Sequence, residues 1–98
     1  MPALANSLVF ITGASSGIGR SCAHKFAEAG AKLILIARRK ERLEKLAAEL
    51  KKQFKTDLYV DELDVRDRHA VTKFAQKLPV KWQDIDILIN NAGLSRGL

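Results

Sequence analysis

The chain has 98 residues, 47% of them hydrophobic and 29% charged, with a formal net charge of +6. That length allows one small domain, the composition is that of a soluble globular chain and not a disordered one, and no apolar run approaches the ~20 residues of a membrane span. The single cysteine, Cys22, excludes an intramolecular disulfide, and the opening Met1-Pro-Ala-Leu-Ala-Asn-Ser7 has no basic region of a secretory signal, so a cytoplasmic protein is expected.

The positive charge raises nucleic acid as a partner, but its distribution argues against it. Basic and acidic residues alternate, as in Arg38-Arg-Lys-Glu-Arg-Leu-Glu-Lys45, and the six aromatic residues do not interleave with the cations as a base-stacking platform would. A solvated basic face is the expectation, with no nucleic-acid and no membrane partner.

Leu8-Val-Phe-Ile-Thr12 is a short, nearly continuous apolar run, as in a strand covered on both faces. Ile18 to Ala29 follows with helical spacing, Ile18, Cys22, Phe26 and Ala29 forming the predicted buried stripe, and Gly30 supplies a stop. Leu33-Ile-Leu-Ile-Ala37 reads as a second buried strand. Glu41 to Phe54 is the clearest helix: Leu43, Leu46, Ala47, Leu50 and Phe54 recur at three and four residues, and Glu41 and Lys45 are placed as an i, i+4 pair. Leu58 to about Leu63 is a third strand. Asp67 caps a third helix with a stripe of Val71, Phe74, Ala75 and Leu78, ended by Pro79. Trp82 anchors the following loop by packing, and Ile85 to Ile89 is the fourth strand. The pattern β-α-β-α-β-α-β predicts an α/β fold of Rossmann type: a doubly wound parallel sheet with right-handed crossovers and strand order 3-2-1-4. The fourth strand would have a free apolar edge, so a natural chain continuing past Leu98 is expected.

The segment that carries chemistry is Thr12-Gly-Ala-Ser-Ser-Gly-Ile-Gly19, between the first strand and the first helix. Gly13, Gly17 and Gly19 let the backbone turn sharply and approach a ligand. Free N–H groups and the dipole of the helix start, with Ile18 in its first turn, favour a pyrophosphate. Ser15 and Ser16 can add hydroxyl hydrogen bonds or cap the helix. At the end of the second strand, folds that take NAD place an acid to accept the ribose 2′-OH. Here Ala37-Arg38-Arg39 stands instead, and two guanidiniums suit the 2′-phosphate of NADP. The alternative use of both arginines is to solvate the start of the next helix. Cys22 is assigned to the core, and His24 and His69 lack ligand-spaced partners, so no metal site is proposed.

The spacing Gly-x-x-x-Gly-x-Gly after Thr12, then Asp64-Val65 after the third strand and Asn90-Asn-Ala-Gly93 after the fourth, resembles the short-chain dehydrogenase/reductase family. The three motifs span the chain in order. The resemblance implies a cofactor site of Gly13, Ser15, Ser16, Gly17, Ile18, Gly19, Arg38, Arg39, Asp64, Val65, Asn91, Ala92 and Gly93, with Asp64 at the adenine and Asn91 at a ribose. Asp64 could instead serve as a helix cap, and Asn90 and Asn91 could brace the strand end by side-chain to backbone hydrogen bonds. The family's catalytic Ser, Tyr and Lys follow Asn-Asn-Ala-Gly. The one tyrosine here, Tyr59, is followed by Val60-Asp-Glu-Leu63, so no Tyr-x-x-x-Lys exists and no catalytic residue is assigned.

Residues 1–98 are thus expected to be a dinucleotide-binding half-domain, inactive alone, its catalytic half lying downstream. Leu63-Asp-Val-Arg-Asp-Arg68, Leu78-Pro79, Trp82 and Ile85 to Leu94 resemble the branch that oxidises serine and other 3-hydroxy acids with NADP. That resemblance implies a hydroxy-acid or carbonyl substrate and a homo-oligomer when complete. The alternative from another class is a non-catalytic dinucleotide-binding or interaction module ending at residue 98.

Overall fold

A computed structural model describes residues 5–15 and 17–91. Strands β1 (Leu8–Thr12), β2 (Lys32–Ala37), β3 (Leu58–Glu62) and β4 (Ile87–Asn90) alternate with helices α1 (Gly17–Glu28), α2 (Lys40–Phe54) and α3 (Arg68–Gln76). The strands form one parallel sheet in the order β3-β2-β1-β4, as the alternation predicts. Val9 lies opposite Leu33 on one side and Ile87 on the other, so β1 is the central strand of the register.

The period-2 geometry of a strand sorts the core into two layers. Val9, Ile11, Leu33 and Leu35 face α1 and α2, where they meet Ala23, Ala27, Leu43, Leu46 and Leu50. Leu8, Phe10, Ile34 and Ile36 face the other way, onto Phe74, Leu78 and Trp82. Of the large side chains with essentially no exposure, most come from β1 and β2, and each such burial contributes about 1.5–3 kcal/mol. The continuous apolar runs of these strands follow from their position: both faces are covered.

The stripe of α1 differs from the hydrophobic periodicity. Gly19, Ala23 and Ala27 are its buried residues, while Cys22 and Phe26 only flank the layer and Ile18 is exposed. The cause is clearance: small residues let the helix backbone approach the sheet, and larger apolar chains are displaced to the rim of the contact. The helix ends as Gly30 requires. Gly30 adopts φ 90°, its N–H donates to the Ala27 carbonyl and the Ala31 N–H donates to Phe26, the paired bonds of a Schellman motif.

Helix α2 buries Leu43, Leu46 and Leu50 as expected. Glu41 and Lys45 form no ion pair among the described residues; instead Glu49 reaches across to α1, meeting Arg20 at 2.8 Å and His24 at 3.5 Å. In α3 the Asp67 carboxylate accepts from the Ala70 N–H at 3.1 Å, the predicted cap. Ala75 is exposed: of the predicted stripe only Phe74 is buried within the helix, and Leu78 fills the remaining space from beyond its end. A 3-10 turn at Val80–Trp82, absent from the sequence reading, then sets Trp82 against Tyr59 with ring centroids 5.7 Å apart. Strand β4 begins at Ile87 and not Ile85: Asp86 joins β1 beforehand, its carboxylate accepting from the Leu8 N–H and its own N–H donating to the Leu8 carbonyl, both at 2.9 Å. No helix among the described residues is long and apolar enough to cross a membrane.

Candidate functional site

The strand order reverses between β1 and β4, and in open parallel sheets ligands occupy the crevice at such a switch point, beyond the carboxyl ends of the strands. The four strands are parallel, so the segments after Thr12, Ala37, Glu62 and Asn90 share that edge. These segments contain every residue expected to bind cofactor. Ser16, Ala92 and Gly93 lie outside the described residues.

After β1 the chain turns through Gly13 (φ 63°) and Gly17 (φ 52°), left-handed conformations that side chains rarely adopt. Gly19 is needed for a different reason. A Cβ there would stand 2.3 Å from the Gly13 carbonyl oxygen and 2.8 Å from Nδ2 of Asn91. The space is filled by an internal hydrogen bond: the Asn91 amide donates to the Gly13 carbonyl at 2.9 Å. Beside it the Thr12 hydroxyl donates to Oδ1 of Asn90 at 3.0 Å, and the Ala14 N–H donates to the Ile36 carbonyl at 3.2 Å. The loop is therefore fastened to both neighbouring strands; the side-chain to backbone brace is made by Asn91, while Asn90 is tied through the Thr12 side chain. The helix that opens at Gly17 presents its first N–H groups and the positive end of its dipole to the crevice. Ser15 is half-buried, and Ile18 stands exposed in that first turn.

After β2 the buried Ala37 is followed by exposed Arg38 and Arg39. Among the described residues neither guanidinium has an ion pair or hydrogen bond, and no acid occupies the strand end. A shallow recess beside them is lined by Arg39, Lys40, Glu41, Arg42 and Glu62.

After β3, the Leu63 N–H donates to the Ala37 carbonyl at 2.9 Å, extending the ladder by one residue. Asp64 comes next, and its carboxylate is held by Arg66. The Arg66 backbone N–H donates to Oδ1 at 2.9 Å, Nε to Oδ1 and Oδ2 at 3.1 and 3.2 Å, and Nη2 to Oδ2 at 2.8 Å. These side-chain and backbone bonds, with smaller Coulombic help from Arg66 and Arg38, hold the Asp64 carboxyl down at about 2. The same pairing raises Arg66 above its ordinary value. The helix cap belongs to Asp67, so Asp64 is not needed in that role. Val65 packs partly against the second core layer.

Sequence reasoning passed over three contributors: Thr12 as a tie to Asn90, Asp86 as the tie between β1 and β4, and Arg66 as the partner of Asp64. The lone acid inside Ile85-Asp-Ile-Leu-Ile was a usable signal for Asp86. Tyr59, the one tyrosine, packs against Phe74 and Trp82 in the second layer, far in role from a proton donor.

Residues 7–98 match the family model described as short chain dehydrogenase. Similarity extends to the NADP-dependent 3-hydroxy acid dehydrogenase YdfG of Escherichia coli O6:H1, 43% identical over 91 residues, which is 93% of this chain and 35% of that protein. Sulfoacetaldehyde reductase 2 of Chromohalobacter salexigens is 47% identical over 90 residues, 92% of this chain and 35% of its own. Among solved structures, serine dehydrogenase from Escherichia coli superposes with a TM-score of 0.71 at 41% identity, covering 83% of this chain and 36% of that one. The chain spans about a third of the length of the curated relatives it matches.

Proposed function

The chain belongs to the short-chain dehydrogenase family, and on that premise we propose that it is the NADP(H)-binding part of an oxidoreductase whose substrate is an alcohol, a 3-hydroxy acid such as serine. Residues 1–98 act as a dinucleotide-binding half-domain, with the catalytic half downstream and the complete protein a cytoplasmic homo-oligomer. NADP, when bound, supplies the hydride acceptor. The residues of this chain bind and orient it. The Gly13 to Gly19 turn, including Ser15, Ser16, Gly17 and Ile18, receives the pyrophosphate at the start of α1. Arg38 and Arg39 take the 2′-phosphate, Asp64 and Val65 border the adenine, and Asn91, Ala92 and Gly93 border a ribose. Asn91, whose amide donates to the Gly13 carbonyl, is held in place for that contact.

The observation that carries the cofactor assignment is the end of β2: two exposed arginines, with no hydrogen bond or ion pair among the described residues, where an acid would select NAD. Relatives named NADP-dependent support it. The test is Arg38→Ala with Arg39→Ala in the natural full-length protein. Charge-assisted hydrogen bonds contribute about 1.5–3 kcal/mol, so NADP should weaken at least about tenfold while NAD changes little. Equal losses for both would refute the assignment.

The substrate reading rests on the 3-hydroxy acid and serine dehydrogenase relatives. A second reading, reduction of a small acidic aldehyde, is favoured by the reductase relative at 47% identity. NADPH formation with L-serine, L-allo-threonine and 3-hydroxyisobutyrate, set beside NADPH consumption with sulfoacetaldehyde, decides between them. The mass of the intact natural chain tests the half-domain reading.

A further inference from the structure

We propose that Arg66 is a specificity-determining residue: by neutralising Asp64 it lets an anion-bearing cofactor be read by Arg38 and Arg39 on the neighbouring strand end. The inference rests on the 2′-phosphate reading above. Its starting point is position. Ala37 lies opposite Glu62 in the register and its carbonyl accepts from the Leu63 N–H, so Arg38 leaves β2 level with Leu63, and Asp64 follows one residue later at the same edge. The positive charge of Arg38 reaches the Asp64 carboxylate. An acid at this edge is what turns a 2′-phosphate away in folds that take NAD, and Asp64 places one there, one strand over.

Arg66 answers that charge with three guanidinium contacts and a backbone N–H. The backbone N–H bond closes an Asx turn and belongs to the local fold, but the guanidinium contacts add little stability, because both side chains are exposed, 65% for Arg66 and 39% for Asp64. Two effects follow, and they act in the same direction. With Arg66 present the pair is neutral, so Asp64 does not repel a dianionic phosphate. Arg38 is also left free, since without Arg66 it is a nearby cation for Asp64 to draw away from a ligand. A carboxylate at the adenine edge thereby remains an acceptor without opposing the cofactor's third phosphate.

The experiment measures dissociation constants for NADP and NAD, by calorimetry at low and high salt, on the natural full-length protein and its variants. Arg66→Ala should reduce the preference for NADP over NAD by about three- to fivefold, as for one added charge roughly a Debye length from a dianion, and the loss should shrink at 1 M salt. Arg66→Lys should retain most of the preference. Arg66→Ala combined with Asp64→Asn should restore it, a rescue that a merely structural role for Arg66 would not give. Equal weakening of both cofactors by Arg66→Ala, or a preference still lost in the double variant, overturns the proposal. The Arg38→Ala, Arg39→Ala protein is measured in parallel. If it loses the NADP preference while Arg66→Ala does not, only the role of Arg66 fails. If it keeps the preference, the 2′-phosphate reading fails and this inference with it.

Discussion

The two halves of the candidate site are built on opposite principles. At the end of β1 the backbone itself is the binding surface: left-handed glycines, the open start of α1 and a loop bolted to its neighbours by Asn91, Thr12 and Ala14. At the ends of β2 and β3 the surface is made of exposed side chains, Arg38, Arg39, Asp64 and Arg66, which carry charge and little packing. The first half shares its atoms with the core, so it cannot change without the fold changing. The second can be altered with the fold intact. On the proposed reading, that division separates a fixed pyrophosphate site from an adjustable choice of cofactor.

The comparison can be broken most severely at Gly19. Gly19→Val places a Cβ 2.3 Å from a backbone carbonyl that cannot move aside, so destabilisation of about 3 kcal/mol is expected, with loss of both NADP and NAD binding in titrations. Asn91→Ala comes next. It removes the donor to the Gly13 carbonyl from a buried position, at about 1–3 kcal/mol, and denaturant midpoints should fall while the two cofactors weaken together. The arginine pair gives the opposite signature: NADP binding falls, NAD binding and the melting temperature stay.

The smallest effect sharpens the second half. Asp64 is held at about 2, below its ordinary 3.8, so the small contribution of this exposed pair is fully present above the ordinary value and is lost as pH falls from about 4 through 2. Nuclear magnetic resonance titration of the Asp64 carboxyl should show this depressed midpoint, and Arg66→Ala should move it upward. A midpoint unchanged in the variant would mean that Arg66 is not the cause.

The same division governs what was legible in the sequence. Strand order, the Schellman stop at Gly30 and the Asp67 cap follow from patterns with a local mechanism, and all are found. The stripe of α1 did not, because hydrophobicity points to Ile18 and Phe26, whereas the closest contact is made by Gly19, Ala23 and Ala27. Side-chain size, not polarity, decides how near a helix can lie. The positions of the motif residues at one sheet edge were legible because parallel topology dictates them. The Asn91 to Gly13 bond joins residues 78 apart, and only its motif hinted at a bracing role. The hold of Arg66 on Asp64 was hidden for the opposite reason: an acid and a base two residues apart in a polar turn occur too often to signal anything.

Trp82 is the one tryptophan of the chain. It is buried in the layer beneath α3, against Tyr59 and with the Lys81 ammonium 5.3 Å from its ring, on the face of the sheet opposite α1. Its emission is therefore a private channel to one side of the sheet. Light absorbed by Tyr59 passes to Trp82 only while that layer is assembled. Unfolding followed at this fluorophore reads the α3 side alone, and a second probe placed on α2 would tell whether the two sides of the sheet let go together or in turn.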